Sequence, residues 1–341
     1  MNTKAILRLG VLGLTHDHVW GNLDDLTRLP GVRLVAAADS HRPLLRRVRE
    51  RFGCAAWTDA AALLRAEPLD AVFIFAENAL HPELTVLAAR HGLHVLVEKP
   101  MAADLAGARR MQAAASRAGV RLMVNWPVAW WPQMQTAFAL IAAGRIGRIW
   151  QVKYRAAHAG PRAMGCSKWF CDWLYDPARN GAGALVDYCC YGAALSCALL
   201  GPPRRVTGFA RRLGPRNTGV EDNALLVMEH PGALSLAEAS WTQVGDLTSY
   251  VTMIYGSKGT LVVEPPPGNR LLLATKQAPA GVEVKLHRQP AHLRSASAHF
   301  VHALRSGADF FPLCRAEVAL QAQGALEAGL RSAAMRPTSP R

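Results

Sequence analysis

The sequence has no CxxC pair; its seven cysteines are Cys54, Cys166, Cys171, Cys189, Cys190, Cys197 and Cys314. An odd count without paired spacing argues against a disulfide framework and a zinc knuckle, and it suits a reducing compartment. Internal repeats and low-complexity segments are missing as well. Acidic residues are the scarcer charge: 25 Asp and Glu stand against 39 Lys and Arg, a formal net charge of +14. No basic run is interleaved with aromatics, so the chain lacks the layout of a single-strand nucleic-acid binder. Arginine far outnumbers lysine and is scattered, which fits a compositional bias, and no nucleic-acid partner is expected. Nothing before the first apolar run reads as a cleavable signal peptide. The least charged stretch, 181–201, has Asp187 as its only charge and opens Gly-Ala-Gly. That pattern favours a buried helix over a membrane span. The expectation is a soluble, cytoplasmic protein without a membrane partner.

What is present is core material: 341 residues, half of them hydrophobic and 19% charged, enough for two ordinary domains. Residues 1–124 alternate short uncharged apolar runs (7–12, 32–38, 71–75, 94–98 and 121–124) with amphipathic stretches (44–52, 60–66, 81–91 and 105–118). This alternation predicts βαβ units and a parallel sheet buried on both faces. After Asn125 the pattern changes to a helix at 133–143, a strand at 149–156, an irregular stretch and the 181–201 helix. Closely spaced strands follow at 206–212, 224–229, 234–241, 249–255, 260–264, 271–274 and 282–287, then helices near 297–305 and 315–332. The predicted fold class is an α/β Rossmann domain (1–124) plus an α+β domain with a large, mostly antiparallel open sheet (125–334), and a frayed tail (335–341).

Three places carry chemistry. The first is Gly10-Val-Leu-Gly13-Leu-Thr15-His16-Asp17-His18, between a strand and a helical pattern. A dinucleotide fold needs glycine there so the backbone can turn and approach a pyrophosphate at a helix N-terminus. Gly13 fits; Thr15 and His18 stand where the usual fingerprint has small residues. His16, Asp17 and His18 form no complete ligand set, so no metal is expected, and they read as polar loop residues near the cofactor. The second is Asp39, which ends the 32–38 run and is placed to accept ribose hydroxyls and repel a 2′-phosphate. It favours NAD, with NADP left open because Arg42 lies three residues on. The third is Glu98-Lys99-Pro100, which follows an apolar strand and sets a lysine at the carboxyl edge of the sheet, where such sheets bind ligands.

Gly13, Asp39, Asn78-Ala-Leu-His81 and Glu98-Lys99-Pro100 together resemble the glucose–fructose oxidoreductase / inositol dehydrogenase / rhizopine-catabolism (Gfo/Idh/MocA) family. The resemblance continues through Gly144-Arg-Ile-Gly147, Gly181-Ala-Gly183-Ala-Leu-Val-Asp187 and Gly256-Ser-Lys-Gly259-Thr. It implies cofactor contacts from Gly13, Thr15, His16, His18, Asp39, Asn78, His81, Glu98 and Lys99. It also implies nicotinamide-dependent chemistry on sugars, cyclitols or related alcohols, with a second-domain sheet often used for dimerisation. Many family members carry a histidine four residues after the aspartate of the 181–187 motif; here that position is Tyr191, as in a tyrosine-using branch.

Asp187 and Tyr191 are four apart and therefore share a helix face. A nearby Lys99 ammonium is expected to favour the ionised phenol, whose ordinary pKa is ~10. Lys99, Tyr191 and Asp187 are the expected catalytic set, with Asp187 pairing with Lys99 or a substrate hydroxyl. Trp126, Trp173 and Asp187 are candidate substrate contacts, the tryptophans as stacking surfaces for sugar C–H faces or as interface packing. The predicted activity is an NAD(P)-dependent dehydrogenase or reductase acting on CH–OH groups, in a homodimer or homotetramer. A non-catalytic dinucleotide-binding sensor or partner protein of the same fold is the alternative.

Overall fold

A computed structural model describes residues 6–214, 218–247 and 249–334; the expected tail lies outside them. The first sheet contains β1 (Leu7–Leu12), β2 (Val32–Ala38), β3 (Ala55–Trp57), β4 (Ala71–Ile74), β5 (His94–Glu98) and β6 (Leu122–Asn125). All pairs are parallel, in the order β3-β2-β1-β4-β5-β6. The uncharged runs explain this. Every residue of β4 is buried, and four of the five in β5, because helices cover both faces. β3 was not expected: two of its three residues are exposed, so it carries no apolar run. The chain reverses direction across the sheet between β1 and β4, and that switch point opens a crevice at the strands' carboxyl ends.

The second sheet contains β7 (Ile149–Ala157), β8 (Arg205–Arg211), β9 (Asn223–His230), β10 (Ala233–Ser240), β11 (Tyr250–Gly256), β12 (Gly259–Val263), β13 (Leu271–Thr275) and β14 (Val282–Glu283). Its order is β14-β13-β12-β11-β7-β10-β9-β8, antiparallel except for the central β7–β10 pair. The strand expected at 282–287 shrinks to two exposed residues. The helix Ala184–Leu200 lies across β7, β9 and β10. It presses so closely that a Cβ on Gly192 would stand 2.5 Å from Ala237 Cβ, which sets the helix's depth. The apolar stretch Pro177–Leu200 is therefore core, with 78% of its membrane-length window buried.

Two features depart from expectation. The stretch before that helix contains the helices Lys168–Leu174 and Pro177–Asn180; Ser167 caps the first by accepting the Phe170 N–H. Of the C-terminal helices, both expected with the second domain, Ala316–Ala334 packs chiefly on β8 and the helix Ala184–Leu200 and also touches the helix Leu105–Ala118 of the first domain, whereas Ala296–Ser306 packs on the helix His18–Thr27 of the first. Ser297 Oγ donates to the Asn22 carbonyl at 2.9 Å, Phe300 meets Phe73 edge-on at 5.6 Å, and Glu327 accepts the Leu105 N–H at 3.0 Å. They brace the Rossmann unit against the second sheet.

Candidate active site

β5 is buried along its apolar length and ends in Glu98, so its direction delivers Lys99 to the crevice. The Lys99 ammonium meets the helix Ala184–Leu200 of the other domain: Nζ lies 2.7 Å from Asp187 Oδ1 and 3.3 Å from the Asp187 carbonyl oxygen. Both residues are 4% exposed. Burial alone would push the lysine pKa down, but Asp187 and neighbouring groups hold it above its ordinary value. Lys99 stays an ammonium, with two of its three hydrogens directed at Asp187 and one left for a ligand.

The helix itself is held from the second domain. The partly buried Glu221 carboxylate accepts the Gly183 N–H (2.8 Å) and the Leu185 N–H (3.0 Å), satisfying two of the helix's free N-terminal donors. No local pattern pointed to this partner, which lies in a loop 36–38 residues further along the chain.

Tyr191, one turn after Asp187, presents its ring face to Lys99, with Nζ 5.0 Å from the ring centroid. It stacks on Tyr154 (5.9 Å) and Tyr188 (5.8 Å) and meets Trp126 edge-on at 5.6 Å. Its hydroxyl has no hydrogen-bond partner among the described residues, yet it is not among the fully enclosed orphan atoms, as that of Tyr154 is. Burial, then the surrounding tyrosines and Cys190, raises the Tyr191 pKa well above 10. This corrects the expectation of a phenolate favoured by Lys99. The ammonium sits over the ring and spends its charge on Asp187, so desolvation wins and the phenol stays neutral.

Two further groups complete the wall, and sequence reading found neither. Tyr188 and Tyr250 share a hydroxyl–hydroxyl hydrogen bond of 3.0 Å. His158, just past the end of β7, packs edge-on against Tyr188 at 4.8 Å.

The dinucleotide side of the crevice is built from the first loop. Gly13 has φ +84°, and a Cβ there would lie 2.6–2.7 Å from three atoms of Ala76, so only glycine allows β1 to pass this close to the end of β4. The helix His18–Thr27 follows with no side-chain cap, because the Asp17 carboxylate instead accepts the Ser167 N–H at 2.7 Å. Its first-turn donors suit a diphosphate. Thr15 and His16 are buried in the loop, and His18 is partly exposed. Asp39 accepts the Leu14 N–H (2.6 Å) and the His41 N–H (2.7 Å) and pairs with His41 Nδ1 at 2.7 Å. It therefore shapes the loop itself.

Other expected contacts have different duties. The Asn78 side chain is fully buried and donates to Asn180 Oδ1 at 2.7 Å, tying the two domains together. His81 is fully buried, with Nδ1 facing the carbonyls of Pro100 and Met101 and Nε2 that of Ala76. It fixes the turn after Lys99. Trp126 and Trp173 are each 1% exposed. Trp126 backs Tyr191 and Trp173 packs on Phe170 and His16, so neither offers a face to a sugar.

Glu98 completes a set that two histidines alone did not: His16 Nε2, His18 Nδ1 and its carboxylate lie within 4.8 Å of one another. The His18 backbone N–H donates to His16 Nδ1 at 3.2 Å, which places the neutral ring's proton on Nε2. That nitrogen lies 3.8 Å from Glu98, beyond hydrogen-bond reach, and has no hydrogen-bond partner among the described residues. Glu98 accepts the Asn125 amide (2.5 Å) and the Lys99 N–H (2.9 Å). The cluster orients the edge on which Lys99 stands.

Comparison with known proteins agrees with this architecture. Residues 7–126 match the Gfo/Idh/MocA family model described as an oxidoreductase family with an NAD-binding Rossmann fold, and residues 134–262 match a C-terminal domain of the same family. A dTDP-3,4-didehydro-2,6-dideoxy-alpha-D-glucose 3-reductase of Streptomyces violaceoruber is 31% identical, over 89% of this chain and 86% of that protein. A D-apiose dehydrogenase of Paraburkholderia graminis is 28% identical, over 89% and 81% respectively. The fold is shared with an Agrobacterium radiobacter oxidoreductase crystallised with NAD+, L-tartaric acid and magnesium, at TM-score 0.82 and 22% identity over 97% of each chain.

Proposed function

We propose that this chain, which belongs to the Gfo/Idh/MocA family of NAD-binding oxidoreductases, transfers hydride between NAD and a carbinol carbon of a sugar, cyclitol or related polyol. The observation that carries the proposal is the buried Lys99–Asp187 pair at the carboxyl edge of the Rossmann sheet, with a neutral Tyr191 beside it. The sugar chemistry of the two relatives supports the substrate class.

Gly13, the first turn of His18–Thr27 and Asp39 would hold the dinucleotide, with Glu98 and Lys99 bordering its nicotinamide half. The dinucleotide supplies or accepts the hydride. Lys99 directs its remaining N–H at the reacting oxygen and stabilises charge developing there. Tyr191, kept neutral by burial, gives its proton to the forming alkoxide in the reductive direction. The oxidative direction is the reverse and starts from the ionised phenol. Oxidation should therefore speed up with rising pH, while reduction stays level at every pH well below the raised Tyr191 pKa.

The test combines mass analysis of ligand released from freshly purified protein with turnover of a panel of aldoses, ketoses and cyclitols using NAD(H). Bound or tightly binding NAD with turnover of a panel member supports the proposal. Tight NAD binding with no turnover of any would favour a dinucleotide-binding sensor instead.

A further inference from the structure

We propose that His158 is a substrate-positioning residue, donating a hydrogen bond from Nε2–H to an oxygen of the sugar held at Lys99. This rests on the function proposed above. The Gly160 N–H donates to His158 Nδ1 at 2.8 Å, so the neutral imidazole must carry its proton on Nε2. The main chain around it is pinned: the His158 N–H donates to the Ser240 carbonyl (3.0 Å), and the His158 carbonyl accepts the Gln243 N–H (3.1 Å). The ring thus has one tautomer and one seat at the ends of β7 and β10.

That seat faces the reacting groups. The His158 ring touches the Tyr188 ring, and Lys99 Nζ lies 5.6 Å from the centroid of the same ring. Lys99 and Asp187 are the charged groups His158 senses, and their effects oppose each other; Tyr188 with its partner Tyr250 closes the remaining side. Burial pushes the histidine pKa down to about 4, so it is a neutral donor near pH 7. Nε2 has no protein partner among the described residues and is not one of the enclosed orphan atoms; 8% of the residue's surface remains open. A buried, pre-oriented donor beside a cationic oxygen-binding group suits a polyhydroxylated ligand and costs little ordering on binding.

The experiment compares wild type, His158→Leu and His158→Gln with saturating NAD(H). It measures kcat and KM on the sugar panel, calorimetric sugar binding to the NADH-loaded protein, NADH affinity and Tm. His158→Leu should raise KM roughly ten- to a hundredfold with a smaller change in kcat, and His158→Gln, which restores an N–H, should recover much of it. NADH affinity should hold in both. A kcat/KM in His158→Leu within about threefold of a wild type that turns over would overturn this inference alone. So would a loss that Gln does not relieve and that tracks a fall in Tm. If wild type turns over nothing, the general function fails and calorimetry decides: sugar binding lost in Leu and regained in Gln supports the donor role, equal binding refutes it, and no sugar binding at all refutes both.

Discussion

Lys99 Nζ and Asp187 Oδ1, 2.7 Å apart, join the carboxyl end of a Rossmann strand to the first turn of a second-domain helix, so the ion pair proposed for catalysis is also an interdomain clasp. Asp187→Asn would leave a buried ammonium without its counter-charge. The expected loss is about 3 kcal/mol or more, together with reduced turnover. Because the folded lysine pKa lies above its unfolded value, the pair's contribution is complete below ~10.4 and is lost only as pH rises through the folded value. Chemical denaturation should therefore show the same deficit in this variant from roughly pH 6 to 9.

Two histidines predict acid sensitivity. Burial pushes His158 and His299 down to about 4. Unfolded histidine titrates near 6.5, so between these values the unfolded chain binds more protons and folding loses stability as pH falls. Tm should decline from about pH 6.5 toward pH 4, and His299→Gln should flatten that slope. A slope unchanged in the variant would remove His299 from the account.

Asp39 holds the first loop and is proposed to select the cofactor, and its removal should show both parts. Asp39→Ala should narrow the preference for NAD over NADP, since the charge that repels a 2′-phosphate is gone. It should also weaken both cofactors, because Leu14 and His41 lose their shared acceptor. Fluorescence titration with each dinucleotide measures this. Tighter binding of NADP than NAD by the wild type would contradict the assignment.

The second sheet predicts assembly. On the face opposite the helix Ala184–Leu200, Phe209 pairs with Leu225, and one rung away Leu236, Met253, Val262 and Leu272 line up with Lys153 between Leu236 and Met253; Phe209 is 39% exposed. Apolar side chains on an exposed sheet face, broken by Lys153 and the Arg155–Glu238 ion pair, suit an interface of mixed character between copies of the chain. Light scattering at micromolar concentration should give a dimer or tetramer, and Leu236→Lys should shift it toward monomer.

Much of this was legible in the sequence. Buried strands announce themselves as uncharged runs, so β1, β2, β4 and β5 fall within a residue of their expected places, and Lys99, Asp187 and Tyr191 are fixed by strand end and helix spacing. β3 and the helix Lys168–Leu174 were missed because one is mostly exposed and the other is an aromatic patch; Ser167 three residues before Phe170 was its available signal. His158 and Glu221 were illegible for a different reason. Their partners are brought up by tertiary packing within the second domain, and no local pattern encodes a neighbour so far away along the chain. The Tyr191 ionisation was misjudged on the same ground: spacing placed the ring, but only packing shows that Lys99 covers its face and is already paired.

The central claim is that Tyr191 is the proton-transfer group and Lys99 the group that binds the reacting oxygen. The most direct measurement is single-turnover hydride transfer in wild type, Tyr191→Phe and Lys99→Met on whichever sugar the wild type uses, with NADH affinity measured beside it. Tyr191→Phe keeps the ring stack and removes one hydroxyl, so it should bind NADH normally while the rate falls by roughly two to four orders of magnitude. Lys99→Met should fall at least as far. A Tyr191→Phe rate within about threefold of wild type would contradict the account and hand the proton to another group.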